Sequence, residues 1–299
     1  MKSLLLKLYY KVLKIYEPVL GFYNFLINEL SKPPIVHSTD ETLDFIVSER
    51  ISVSRFGDGE FGLMNGQNLL FQPYNPELSF RLRQIIKSKD EKHIVCIPNI
   101  FSNVDWCNAE SKNYWIKYLR GNRNKIYKML DMQKEYYDTQ VTRLYIDHID
   151  KSKAGDRFRK FSDLWANREV IIVEGAKSRL GIGNNLFNNT RSLKRIICPS
   201  INAFAKYNEI LAEVKKQDKS KLVLIALGPT ATVLAFDLAS CGIQAIDIGH
   251  IDIEYEWFLQ QAKEKSPVKN KYIGEVQNGT NVDEIKDLKY DSQIISKII

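Results

Sequence analysis

The sequence is poor in the features that mark several protein classes. Its 299 residues hold four cysteines, Cys96, Cys107, Cys198 and Cys241, scattered without a C-x-x-C pair. Structural zinc sites carry closely paired ligands, and a disulfide framework in a chain this long needs more cysteines. Four reduced thiols in a cytosolic protein are therefore expected. Nine prolines and 15 glycines are too few for a collagen-like or linker-dominated chain. No run of about 18 apolar residues escapes a charge, so no membrane-spanning helix is expected. A strong excess of one charge is missing too: 43 Lys+Arg against 36 Asp+Glu leave +7, a mild bias toward anionic partners. No helix-turn-helix, zinc or aromatic-basic RNA pattern accompanies that bias, so nucleic acid is not the expected partner. The phosphate-loop signatures are also incomplete. No G-K-[ST] ends a glycine-rich run, and Gly181-Ile182-Gly183 lacks the third glycine of G-x-G-x-x-G.

What is present is an ordinary globular composition, 44% hydrophobic and 26% charged, in a chain long enough for a large core. Residues 1–31 stand apart. Lys2, Lys7, Lys11 and Lys14 alternate at helical spacing with Leu5, Leu6, Tyr9, Val12, Leu13 and Tyr16, and Pro18 ends or kinks the pattern. Lys7 interrupts the apolar stretch and no small-residue cleavage site follows, so a signal peptide is not expected. This basic amphipathic helix fits docking on the inner face of the cell membrane, and equally packing against the protein body or a partner.

From Thr39 the body begins, with Asp40 as a candidate cap for a helix carrying Leu43, Phe45, Ile46 and Val47. Apolar runs at Ile51–Ser54, Ile94–Ile97, Val170–Val173, Arg195–Cys198, Leu222–Leu227 and Ala245–Ile248 read as strands. Helical stretches follow at 77–87, 109–137, 203–216, 231–240 and 254–265. Such alternation predicts an α/β fold with a mostly parallel sheet covered by helices on both faces. Ligands of such sheets bind where strand ends lead into helices.

Four segments sit at strand ends. In Ser54-Arg55-Phe56-Gly57-Asp58-Gly59-Glu60, two carboxylates two residues apart, Asp58 and Glu60, can converge on one hard cation beside Arg55; a plain Asp-Gly turn is the alternative. In Glu174–Asn185, Lys177, Ser178 and Arg179 with Gly175, Gly181, Gly183 and Asn184 suit an anion pocket, or a flexible connection. Gly228-Pro229-Thr230 opens a helix, as a phosphate-binding N-terminus or an ordinary cap. Asp247–Glu256 crowds four acids and His250 at one strand exit. Mutual repulsion there demands a cation, protonation or Arg/Lys partners. Strand alternation would put His250, Asp252 and Glu254 on one face, as a general base, a support for a metal ligand or an acceptor for a sugar hydroxyl; a solvated helix start is the alternative. In Thr142–His148, Arg143 and Tyr145 are weaker ligand-facing candidates.

The runs SRFGDGE, VEGAKSRLGIGNNLF, RIICPSINAF, LGPTATVLAFDLA and AIDIGHIDIEYEWF, in this order, resemble the GT-D-type glycosyltransferase family, long treated as a domain of unknown function. The resemblance spans residues 39–274, leaving residues 1–31 and a polar tail, 275–299, outside it. Members are common in streptococci, where one type adds glucose to the glycan of a serine-rich-repeat adhesin and others lie in polysaccharide gene clusters. The resemblance implies a Rossmann-like fold and a hexosyltransferase using a nucleoside-diphosphate sugar, UDP first, with manganese, or magnesium in its place. It implies a glycan, glycoprotein or lipid-linked acceptor and work in the cytoplasm, at the membrane if the first helix docks there. The family's Asp-x-Glu motif corresponds to Asp58-Gly59-Glu60 as the metal site. Arg55, Lys177, Ser178, Arg179, Gly181, Gly183, Asn184, Gly228 and Thr230 then fall to donor binding, and Asp252, Glu254 and His250 to catalysis. Where the family often has Asp, this chain has Asn185, which removes one acid. A non-catalytic nucleotide-sugar or phosphate-binding module is the competing expectation.

Overall fold

The computed structural model describes residues 32–283 and 286–299, so the amphipathic helix expected over residues 1–31 lies outside the described residues. Among the described residues nine strands run in chain order: β1 (Ile35–Val36), β2 (Ser52–Arg55), β3 (His93–Ile97), β4 (Glu135–Asp138), β5 (Glu169–Gly175), β6 (Ser192–Cys198), β7 (Leu222–Ala226), β8 (Ala245–Asp247) and β9 (Ile294–Lys297). They form one sheet of order β1-β4-β3-β2-β8-β7-β5-β6-β9. Its described pairings are all parallel. The expected mostly parallel α/β architecture is what the chain adopts.

Successive strand residues point to opposite faces, and both faces are buried. Val95, Ile97, Val223 and Ile225 meet one core, shared with α3 (Pro76–Ile85), α4 (Ala109–Met129), α6 (Tyr207–Lys215) and α7 (Pro229–Ser240). Ile94, Cys96, Leu222 and Leu224 meet the other, with α1 (Thr39–Glu49), α5 (Ala154–Asp163) and α8 (Ile251–Leu259). This double burial explains why the strands read as unbroken apolar runs rather than alternating ones. Among the described residues no helix is long and apolar enough to cross a membrane.

Several local expectations change. Ser38, not Asp40, caps α1: its hydroxyl accepts from the Glu41 N–H while Glu41 accepts from the Ser38 N–H at 2.8 Å. Asp40 instead receives Arg157 at 2.6 Å, and the pairing holds its carboxyl down to about 2. The helix expected to 137 ends at Met129, because residues 135–138 form β4, pairing with β1 and β3. The Gly57–Gly59 loop becomes the start of a short helix, α2 (Asp58–Met64). The Gly249–Ile253 segment, expected to alternate like a strand, turns into α8 at Ile251.

The tail is structural. After α9 (Leu288–Gln293), β9 extends the sheet beside β6. Its anchor is a buried ion pair: Arg195, 2% exposed, donates to Glu174 at 2.6 Å, to the Leu180 carbonyl at 2.8 Å and to Gln293 at 2.7 Å. Tyr290 covers it, with the guanidinium 4.7 Å from the ring centre. Each of the three guanidinium nitrogens finds an acceptor, which helps a charge sit this deep.

Candidate active site

The carboxyl ends of β2, β3, β4, β5, β7 and β8 open onto one cleft of about 590 Å³. Helix α7 sets its floor. Ser54 Oγ donates to the Thr232 carbonyl at 2.6 Å, and Thr232 Oγ1 donates to the Arg55 carbonyl at 2.9 Å, so α7 is fastened to the end of β2. Gly228, with φ of +55°, makes the turn into α7, and a Cβ there would lie 2.7 Å from the Phe71 ring. Gly228 and Pro229 line the cleft. Thr230 does not: fully buried, its hydroxyl is 3.4 Å from the Gln72 amide oxygen.

Arg55 is held in the wall by Asp247, with Nε 2.9 Å from its carbonyl oxygen and Nη2 3.2 Å from its carboxylate. Asp58 and Glu60, on the first turn of α2, line the cleft beside it. Asp58 is exposed and accepts from the Tyr114 hydroxyl; Glu60 accepts from the Gly57 N–H at 2.7 Å. Desolvation pushes the Glu60 carboxyl up to about 7, and the Asp247 charge adds to this. A carboxylate so hard to ionise gains from a cation nearby. The donor set is oxygen only, which suits Mn²⁺ or Mg²⁺. Among the described residues no group of three or more His, Cys, Asp or Glu surrounds an ion position. Two carboxylates with the remaining ligands from a diphosphate and water is a familiar arrangement for these ions. The residues therefore fit a divalent cation.

The glycine-basic run divides. Ser178, with Gly175 and Leu180, lines the cleft, but Lys177 and Arg179 do not. Lys177 is exposed, and Arg179 is buried with Nη1 donating to the Asn270 carbonyl at 3.1 Å. Gly181 and Asn184 bind the protein itself. The Gly181 N–H and Asn184 Nδ2 donate to Asp252 Oδ1 at 2.9 and 2.7 Å, and Asn184 also reaches Glu256 at 2.8 Å. Gly181 is needed for shape, since its φ is +76° and a Cβ would stand 2.6 Å from the Phe187 ring; Gly183 turns with φ of +83°.

The three catalytic candidates do not converge as one triad. Asp252 lines the cleft but is 2% exposed, and its other oxygen receives Lys271 Nζ at 2.5 Å. All its acceptor capacity toward the loop is in use. Glu254 lies behind the wall, fully buried, accepting from the Tyr145 and Ile146 N–H groups at 3.0 and 2.9 Å. Its Oε1 has no hydrogen bond and stands 3.7 Å from Arg143. Desolvation raises this carboxyl to about 7. His250 lines the cleft with its side chain 43% exposed. Desolvation lowers the imidazole to about 4, so it is neutral at pH 7. Arg143 can only donate, so the His250 Nδ1 it faces at 3.2 Å accepts, which assigns the proton to Nε2. In this tautomer His250 offers the cleft a donor.

A cluster that the motifs barely signalled completes the wall. Arg143 bridges Asp147 at 3.2 Å and Glu275 at 2.6 Å, and Lys265 bridges the same two acids at 3.3 and 3.0 Å. Arg143 was weakly legible in the sequence, whereas Tyr145 packs on Phe258 and Lys151 instead of facing a ligand. Lys265 and Glu275 carry no local signal, because only the fold brings residues 143, 147, 265 and 275 together.

Comparison with known proteins agrees with this architecture. Residues 53–276 match the family model for the glycosyltransferase GT-D fold. A "Probable glycosyl transferase Gly" of Streptococcus gordonii is 39% identical over 264 residues, 88% of this chain. "Glycosyltransferase GlyD" of Streptococcus pneumoniae is 39% identical over 269 residues, also 88% of this chain. The chain spans 39% and 32% of the length of these two curated relatives. One solved structure is described by "The highly conserved domain of unknown function 1792 has a distinct glycosyltransferase fold". It superposes with a TM-score of 0.86 at 40% identity, covering 93% of this chain and 99% of that one. "A New Glycosyltransferase (DUF1792) from Streptococcus sanguinis" gives 0.84 at 38% identity, covering 89% of this chain and all of the other.

Proposed function

The chain belongs to the GT-D glycosyltransferase family, and on that premise we propose that it moves a hexose from a UDP sugar to a glycan acceptor, with a divalent cation at Asp58 and Glu60. The observation that carries the reading is the pair of carboxylates at the mouth of the cleft beside a fixed arginine, Arg55. Departure of a nucleoside diphosphate concentrates negative charge on the leaving oxygens. A bound cation, manganese first and magnesium second, would neutralise that charge. Arg55 adds a positive charge that Asp247 keeps in position. The Ser178 hydroxyl at the cleft supplies a further donor to phosphate oxygens. Asp252 and Glu254 act as supports: the first fixes the 181–184 loop and the second sits beneath Arg143. His250 donates from Nε2 to a substrate oxygen.

The test is a screen of nucleoside-diphosphate sugars with and without Mn²⁺, on the parent protein and on Asp58→Asn and Glu60→Gln. Metal-dependent consumption of one donor is expected, lost in both variants while their far-UV spectra and unfolding midpoints stay near the parent's. Undiminished transfer in chelator or in the double variant refutes the metal assignment. Donor binding without transfer or hydrolysis for any acceptor would make the protein a binding module instead.

A further inference from the structure

Sheet order divides the cleft into two sides. The loops after β5, β6 and β7 bring Ser178, Pro199, Ala203, Leu227 and Gly228 to one side. These residues are small or apolar and suit a flat base and ribose. Helix α4 and the turn after β4 form the opposite side, where Glu110, Tyr114, Gln140 and Arg143 face the cleft. Asp58, Glu60 and Asp247 lie between, at the ends of the central strands β2 and β8.

We propose that the β3–β4 side is the subsite for the sugar acceptor, with Tyr114 giving its ring face to a pyranose and Glu110, Gln140 and Arg143 meeting the hydroxyls. The proposal rests on the transferase reading above. Tyr114 is a large aromatic, 45% exposed at the cleft wall, yet it is not loose. Its ring stands edge-on to Trp115 at 5.1 Å and nearly parallel to Tyr118 at 6.1 Å, and its hydroxyl donates to Asp58. A fixed, open aromatic face matches the apolar C–H face of a pyranose at low entropic cost. The contact with Asp58 places that face next to the carboxylates assigned to the diphosphate, where an acceptor must lie to meet the donor sugar.

Gln140 adds an independent observation. It is 2% exposed, it lines the cleft, and its Oε1 has no hydrogen-bond partner. A buried unpaired acceptor is unfavourable, and a sugar hydroxyl at this wall supplies the missing donor once the amide turns toward it. Arg143 is already oriented by Asp147 and Glu275, so a hydroxyl meeting it orders no side chain. A held arginine and a buried, unsatisfied amide beside one open ring form a site for a polyhydroxylated ligand rather than for a second phosphate.

Transfer kinetics decide the matter, with UDP-glucose as donor, Mn²⁺ present and p-nitrophenyl pyranosides as acceptor probes, beside calorimetric donor affinity. Tyr114→Ala should raise the acceptor KM about five- to tenfold while the donor Kd moves less than about threefold. Tyr114→Phe keeps the ring and should hold the acceptor KM near the parent value. If Tyr114→Ala fails to fold, the exposed Glu110→Gln is read in its place, with the same split between acceptor and donor. A tenfold weaker donor with unchanged acceptor KM overturns the proposal, since the ring would then serve the nucleotide. Donor turnover with no pyranoside bound or glycosylated overturns the subsite alone. A parent protein that neither binds nor consumes any nucleoside-diphosphate sugar removes the transferase reading and the subsite with it.

Discussion

Gly249 is the position where one added methyl group should do the most damage to the cleft. Its φ is +44°, and a Cβ built there would lie 1.8 Å from Arg55 Nη2 and 2.7 Å from Arg55 Cζ. Gly249→Ala therefore has two costs. The left-handed backbone costs about 1–2 kcal/mol for any residue with a Cβ. The guanidinium must also leave, which strips Asp247 of its partner; the two side chains are 15% and 4% exposed. Breaking a buried pair costs about 3–5 kcal/mol, and the partial exposure of Arg55 puts this case at or below the lower end. The sum is about 3–5 kcal/mol, or roughly a 10 °C fall in melting temperature for a domain of this size. Arg55→Ala supplies the control, because without the guanidinium only the backbone cost, about 1–2 kcal/mol, remains. Urea unfolding of the four proteins in this cycle gives the coupling directly. Equal costs of Gly249→Ala in both backgrounds would refute the steric argument.

Two further outcomes follow from burial. Glu254 binds its proton more tightly folded, at about 7, than at its ordinary 4.5, so the stability it contributes is complete below pH 4.5 and lost as pH rises through 7. Glu254→Gln stays neutral, so variant minus parent stability should swing by about 2–3 kcal/mol toward the variant between pH 4.5 and 8; a flat difference in urea midpoints contradicts this. Removing residues 288–299 uncovers the β6 edge and takes from Arg195 both the Tyr290 ring and the Gln293 acceptor. A loss of at least about 3 kcal/mol or outright insolubility is expected, and an unchanged unfolding midpoint would show that the tail only rests on the sheet.

The central strands were legible because both sheet faces are buried, which turns Val170–Val173 and Leu222–Leu227 into unbroken apolar runs. Edge strands gave less signal. β1 has two residues, β4 reads EYYD, and β9 follows a polar stretch, so their pairing is decided by tertiary contact rather than by their own pattern. In the site, the Asp58-Gly59-Glu60 segment was visible as a loop with two acids, although it is a helix start. Lys177 and Arg179 were misleading in the opposite way. Residue type and neighbouring glycines suggested an anion pocket, but one side chain is in solvent and the other is spent on the Asn270 carbonyl. Besides Arg55, which its own motif signalled, the cations that line the cleft are Arg143 and Lys265, from segments 122 residues apart in sequence, where no local motif can announce the pair.

The acids at the end of β8 show why charge density by itself is a poor guide to a cation site. Four carboxylates within ten residues require compensation, and the chain provides it from a distance. Arg55 pairs with Asp247, Lys271 with Asp252 and Glu256, and Arg143 stands opposite Glu254. Each partner consumes acceptor capacity that a cation or an acceptor hydroxyl would otherwise use. The segment braces its surroundings, holding the 181–184 loop through Asp252 and standing against Arg143 through Glu254. Asp58 and Glu60 have no such cation of their own among the hydrogen bonds they make, which go to a tyrosine hydroxyl and a backbone N–H. With Glu60 desolvated, raised further by the Asp247 charge and hydrogen-bonded only by a neutral donor, an added positive charge beside these two acids is favoured.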